Sequence, residues 1–259
     1  MQGILCSLVF SDLDELPDLS AVSPWIDNRF RPPDALAAAV EQMDHRRFMK
    51  THSPADAIPL SDEVDYVTVY RDGRDALTSW ANHRRSLRPE AVDLFNGLSE
   101  ADGIEPWPTV WNGDLDVLFE EWAPDFSPTM HLASWWPERH RPNVHLFHYA
   151  DLIADLEGEM RILAARLDIA VDDDRWPTVV ERCRLAEMRD AARSSFEGGP
   201  FEGGADAFFY RGGNGRWRDV LGESQLERYQ QLVERDLPDD AAAWLERGSI
   251  ATGERPDDV

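Results

Sequence analysis

Residues 65–84 read DYVTVYRDGRDALTSWANHR. Tyr66-Val67-Thr68-Val69-Tyr70 is a short apolar run rich in β-branched and aromatic residues, the composition of a buried strand. It breaks at Arg71-Asp72-Gly73-Arg74. Asp75 is then expected to cap a helix that turns Leu77, Trp80 and Ala81 inward. In open α/β sheets ligands sit at the carboxyl ends of the strands, which is where Arg71 leaves this one. Ser79 follows about one turn into the helix. An arginine and a hydroxyl converging there make a phosphate clamp, because a guanidinium matches phosphate oxygens bidentately. An arginine after a strand is more commonly a surface residue, and this stretch alone leaves both readings open.

A second strand–helix unit supports a parallel sheet. Val144-His145-Leu146-Phe147-His148-Tyr149 reads as a strand. Asp151 is expected to cap a helix carrying Leu152, Leu156, Met160, Leu163 and Leu167 on one stripe. Around these units lie a helix at 1–10 with Ile4, Leu5, Leu8 and Val9 on one face, and a proline-rich loop over 11–33. An Ala-rich helix at 34–44 and a short strand over 47–52 follow. Further helices are expected at 129–141 and over Arg175–Ala191, and Ser224 with Glu227 reads as the capping box of another. Residues 86–130 form an insertion with Trp107, Trp111 and Trp122 among five prolines, suited either to holding an apolar or sugar-like acceptor or to packing on itself. Residues 196–206, FEGGPFEGGAD, are expected to be a mobile glycine-rich loop, and 249–259 a frayed tail. The expected fold is one α/β domain over 1–259, three-layered with a short parallel sheet.

Composition narrows the partners. The 259 residues hold 26 Lys and Arg against 50 Asp and Glu, a net charge of −24. Such a chain repels nucleic acid and anionic membrane, so any positive charge meeting an anion must be local. Cys6 and Cys183 stand far apart without a C-x-x-C, which fits two core thiols in a reduced, cytoplasmic protein. There is no membrane-length apolar run, H-E-x-x-H, Cys cluster or G-x-S-x-G. His145 and His148 fall on opposite strand faces and do not pair on a metal, so no metal is expected.

Two further stretches carry chemistry. His52, beside Lys50 in KTH, has the pKa of a general base near neutrality, and a nearby lysine can steady anionic charge. A lone histidine at the end of a strand is more often structural. Arg211-Gly212-Gly213-Asn214-Gly215-Arg216 is a glycine-rich loop whose backbone N–H groups can approach an anion, although its spacing is not a dinucleotide fingerprint.

Taken in order, KTH, YRDGRDALTSW, the Trp135-Trp136 helix leading to VHLFHYADLIADLEGE, and FFYRGGNGRWRDVL resemble the cytosolic-type sulfotransferase family, in its bacterial branch. The resemblance runs from Met1 to about Gly248. It implies a P-loop nucleotide-kinase-like fold. It also implies transfer of a sulfuryl group from 3′-phosphoadenosine 5′-phosphosulfate (PAPS) to a hydroxyl or amine of a small-molecule, lipid or glycolipid acceptor. By resemblance His52 is the base and Lys50 its neighbouring lysine. Arg71 and Ser79 grip the donor's 3′-phosphate, and Arg211, Gly212 and Gly213 complete that site. Cys183 and Arg184 fall near the nucleotide. The family's 5′-phosphosulfate loop, with the first strand that leads into it, has no match here; residues 1–10 resemble the helix that follows it. The expectation is therefore either an upstream start or a truncated, inactive remnant acting as a binding protein. A P-loop kinase is the third reading, and a homodimer is left open.

Overall fold

The computed structural model describes residues 1–27, 32–100, 106–122 and 127–258, with backbone alone at 98–100 and 121–122. Pro124 and the side chain of Trp122 lie outside the described residues. In chain order the helices are α1 (Gln2–Val9), α2 (Leu19–Val22), α3 (Pro33–Glu41), α4 (Gly73–Ser86), α5 (Pro89–Glu100), α6 (Leu115–Trp122), α7 (Pro128–Trp135), α8 (Tyr149–Ala154), α9 (Leu156–Arg166), α10 (Trp176–Glu181), α11 (Leu185–Ala192), α12 (Gly204–Phe208), α13 (Glu223–Asp236), α14 (Asp239–Arg247) and α15 (Ser249–Thr252). The strands are β1 (Tyr66–Tyr70) and β2 (Val144–His148). The chain divides into two compact units, Met1–Ser53 with Asp155–Met188, and Pro54–Ala154 with Arg189–Val259.

The second unit contains the sheet. β1 and β2 pair in parallel, Tyr66 opposite Val144 through Tyr70 opposite His148. Every residue of β2 is buried, which explains why its sequence runs apolar without alternation. Tyr70, Val144 and Leu146 join Leu132, Trp135 and Trp136 of α7 and its end, and Trp244 and Leu245 of α14, in one core. On the other side, Leu77 and Ala81 of α4 pack with Leu118, Phe119, Tyr229, Leu232 and Val233. Two half-buried residues of the Trp-rich insertion pack within this unit. Trp107 meets Trp80 at 5.4 Å, and the Trp111 indole N–H donates to Asp114 O. The 196–206 stretch is pinned by aromatic contact: Phe201 is buried and bridges to Leu87, with Phe196 and Phe208 at 6.0 and 5.3 Å from it.

Several local expectations are corrected. The cap of α4 is Asp72, whose Oδ1 accepts the Arg74 N–H at 3.0 Å. The helix thus starts before Asp75, and Ser79 lies about two turns in. The helix expected after Asp151 is two, α8 and α9, because Asp155 interrupts the run and caps α9 through the Gly158 N–H. Asp151 instead accepts the backbone N–H groups of Ser249 and Ile250 at 2.7 and 3.0 Å. The tail is held as well at Asp257, whose carboxylate takes the N–H of Leu146 on β2, covering a donor that a sheet edge would otherwise leave open. The cap of α13 is Gly222, whose N–H donates to Gln225 Oε1, two residues ahead of the expected Ser224 box.

In the first unit, α1 buries Ile4, Cys6, Ser7 and Leu8, while Leu5 and Val9 are half-buried. The Ser7 hydroxyl donates to Val179 O at 2.9 Å. The helix expected over Arg175–Ala191 breaks at Arg182–Arg184, where the backbone bonds of Cys183 and Arg184 tighten to three-residue spacing. The 47–52 segment is not a strand but an extended run with a single parallel bridge, Trp25 to Lys50. The ladder stops because the next donor, the His52 N–H, is taken by the Asp27 side chain.

Gly73 marks the tightest approach in the core beside α4. A Cβ there would fall 2.6 Å from Tyr229 Cε2 and 2.8 Å from its hydroxyl, and Tyr229 is buried. Gly73→Ala is expected to destabilise the fold by about 1–3 kcal/mol through overpacking. Urea unfolding checks this; an unchanged midpoint would mean that Tyr229 moves aside freely.

Candidate functional site

In the second unit Arg71 follows the last residue of β1 and keeps 17% of its side chain exposed. Its Nη2 donates to Gly213 O at 2.5 Å and lies 3.9 Å from Asp75 Oδ1. The guanidinium stacks 4.6 Å over the Tyr149 ring. Its Nε is buried and has no hydrogen-bond partner among the described residues. Burial lowers the Arg71 pKa, with Asp75 pulling the other way. A delocalised cation with an unmet donor, beside a glycine loop, is the chemistry that an oxyanion satisfies.

The loop is shaped by left-handed glycines, with φ of +93° at Gly213 and +83° at Gly215, conformations that favour glycine. Its backbone is tied to α4. Gly215 N–H donates to Asp75 Oδ2 at 2.6 Å and Trp217 N–H to Oδ1 at 3.3 Å. Arg211 and Gly212 are exposed. The Arg211 carbonyl accepts from Arg216 Nη1, and both guanidiniums lie over Tyr210. Arg74 is engaged elsewhere: it pairs bidentately with Asp72 and covers Trp217 at 4.3 Å. Ser79 is exposed on α4. Of the residues singled out in this unit, Arg71 and Gly213 touch directly.

In the first unit His52 is exposed and Lys50 half-buried. Trp25 joins them: the Lys50 ammonium sits 4.5 Å over its ring, and the His52 imidazole meets it edge-on at 5.0 Å. Burial lowers the Lys50 pKa, and Asp27 opposes the shift. The Asp27 carboxylate also accepts the His52 N–H at 2.6 Å and the Thr51 hydroxyl at 3.0 Å. Cys183 is buried beside Gly3 O, and Arg184 forms an exposed ion pair with Glu181 at 2.6 Å.

Trp25, Asp27 and Asp75 are the residues that sequence reasoning missed. Trp25 and Asp27 sit in a proline-rich loop with no motif. Asp75 looked like a helix cap, and its acidic neighbour Asp72 holds that place. Among the described residues no group of three or more His, Cys, Asp or Glu is placed to hold a metal ion. No described helix is long and apolar enough to cross a membrane.

Residues 4–241 match the model of the sulfotransferase domain family. The chain belongs to the sulfotransferase family. A glycolipid sulfotransferase of Mycobacterium bovis is 34% identical over 95% of this chain and 84% of its own length. Human sulfotransferase 2A1 is 19% identical over 86% of this chain and 74% of its own length. The crystal structure of retinol dehydratase with androsterone and the inactive cofactor PAP superposes with a TM-score of 0.63 at 25% identity, over 81% of this chain and 58% of that one. The chain thus spans less than two thirds of that enzyme's length. Mouse sulfotransferase SULT7A1 complexed with PAP shares the fold, with a TM-score of 0.62 over 82% of this chain and 74% of its own. The sulfotransferase is therefore an α/β enzyme of the P-loop-like class with a short parallel sheet.

Both cysteines of the sulfotransferase are free and buried, as expected of core thiols. Burial pushes each thiol up to about 11. At pH 8 both stay protonated and shielded, so a thiol reagent is expected to label neither until the protein unfolds. Mass spectrometry before and after denaturant reads this out; fast labelling of the native protein would contradict the burial.

Proposed function

We propose that this sulfotransferase moves a sulfuryl group from PAPS to a hydroxyl or amine of a glycolipid or other small-molecule acceptor. The observation that carries the reading is Arg71, a partly desolvated cation at the carboxyl end of β1 whose Nε has no hydrogen-bond partner among the described residues, set against the Gly213 loop. It fits the 3′-phosphate of the donor, with Arg211, Gly212, Gly213 and Ser79 completing the grip. Binding energy gathered there, away from the sulfur, positions the donor for in-line transfer.

In the reaction the acceptor oxygen forms a bond to sulfur as the bond from sulfur to the bridging 5′-phosphate oxygen breaks. His52 receives the acceptor proton, and adenosine 3′,5′-bisphosphate (PAP) leaves with the charge. Lys50 steadies the negative charge that builds on the leaving oxygen. Support for the base assignment is local: the imidazole is exposed, and its backbone is anchored by Asp27. Cys183 and Arg184 stay with the nucleotide side of the proposal by resemblance alone. Residues 1–259 are read as a single sulfotransferase-like domain. Two buried free thiols agree with a cytoplasmic setting.

Calorimetric titration with PAP, paired with transfer of labelled sulfate from PAPS to a mycobacterial-type glycolipid, tests the reading. Binding with transfer is the expected result. Binding without transfer would support the remnant reading, and absence of both would remove the proposed reaction.

A further inference from the structure

Asp75 has no task in the reaction described above, yet its surroundings are built with care. It is fully buried, at 0% exposure. A buried carboxylate is costly unless its oxygens are satisfied. It does not cap α4, since Asp72 does. Its two oxygens are given instead to a loop 140 residues further along the chain, Oδ2 to the Gly215 N–H and Oδ1 to the Trp217 N–H. Arg71, on the same strand–helix junction, holds the Gly213 carbonyl of that loop and lies 3.9 Å from Asp75. The loop is thus fastened at three backbone points, two by the carboxylate and one by the guanidinium.

We infer that Asp75 is a positioning residue for the donor's 3′-phosphate: it sets the glycine loop and Arg71 in their binding arrangement before any nucleotide arrives. This inference rests on the proposed phosphate role of Arg71. Holding flexible glycines in advance removes an ordering cost from binding. The two N–H donors and the nearby guanidinium offset the carboxylate's own charge, so it can stand beside an anion site. Asp75 acts through the loop and the arginine and not by contact with the donor.

The prediction is selective. Removing the carboxylate loosens the 3′-phosphate grip and leaves the rest of the nucleotide's contacts alone. Calorimetry would compare PAP with adenosine 5′-monophosphate, which lacks the 3′-phosphate, on wild type, Asp75→Asn and Gly215→Ala. The second variant forces an L side chain into a +83° φ at the loop residue whose N–H binds Asp75, and leaves the carboxylate itself in place. It therefore carries the test if Asp75→Asn fails to fold by circular dichroism. Wild type is expected to prefer PAP over the monophosphate. Each folded variant should lose about tenfold or more of that preference, with monophosphate affinity unchanged and the KM for PAPS rising more than kcat falls. A folded variant that keeps the wild-type preference, or loses both nucleotides equally, overturns the positioning role. A wild type with no preference overturns the reading of Arg71 itself, and this inference with it.

Discussion

Arg71→Ala is expected to weaken PAP binding by about 2–4 kcal/mol, or roughly 30- to 900-fold in Kd. The size follows from three features. The guanidinium is mostly shielded from water, so a phosphate paired with it is poorly screened. Its Nε is buried with no hydrogen-bond partner among the described residues, so a bound phosphate satisfies a donor already desolvated. Its removal also frees the Gly213 carbonyl and takes away the guanidinium 3.9 Å from Asp75. Arg71→Lys keeps the charge but not the planar fork, and should recover only part of the loss. Calorimetric titration of the two variants with PAP measures this. Unchanged affinity in Arg71→Ala would take the residue out of the phosphate site. The monophosphate, bound equally by wild type and variant, controls for a general loss of structure.

His52→Ala should lower sulfuryl transfer by about two to four orders of magnitude, the range for a positioned general base, while PAP binding stays nearly intact. The imidazole is exposed and touches the Trp25 ring edge. Its backbone N–H donates to the Asp27 carboxylate. Truncation at Cβ therefore removes the proton acceptor without dismantling the anchor. The discriminating measurement is the split between single-turnover transfer and PAP affinity. Equal loss of both would argue that His52 is structural and would withdraw the base assignment.

The reach of sequence reasoning differed among these residues for physical reasons. Arg71 was legible because its placement is local: a β-branched run must end, and the residue after it stands at the strand's carboxyl end. The Gly213 loop was legible in type, since glycines are the residues favoured at its positive φ values. What fastens the loop was not. Asp75 and the Gly215 N–H are 140 residues apart, and no propensity at either end points to the other. Helix phase was decided the same way. Asp72 and Asp75 are both acceptable caps, and the choice fell to Asp72 because Asp75 was drawn into a buried bond with the loop. At the other strand end, Asp151 was a credible cap until the backbone of Ser249 and Ile250 claimed its oxygens. The Trp25 ring between Lys50 and His52 came from a segment that carried only prolines as a signal.

By itself the amino-acid sequence determined the two parallel strands, the helix types around them, the burial of both thiols and the family to which the chain belongs. Each of these follows from local composition, apolar spacing or an ordered set of motifs. Tertiary structure alone decided which carboxylates are caps and which are tethers, and where the 47–52 segment stops pairing. It also decided which side chains face Arg71 and His52. Those outcomes depend on backbone donors brought together from distant parts of the chain, where one hydrogen bond to a buried carboxylate outweighs the few tenths of a kcal/mol that separate one cap from another.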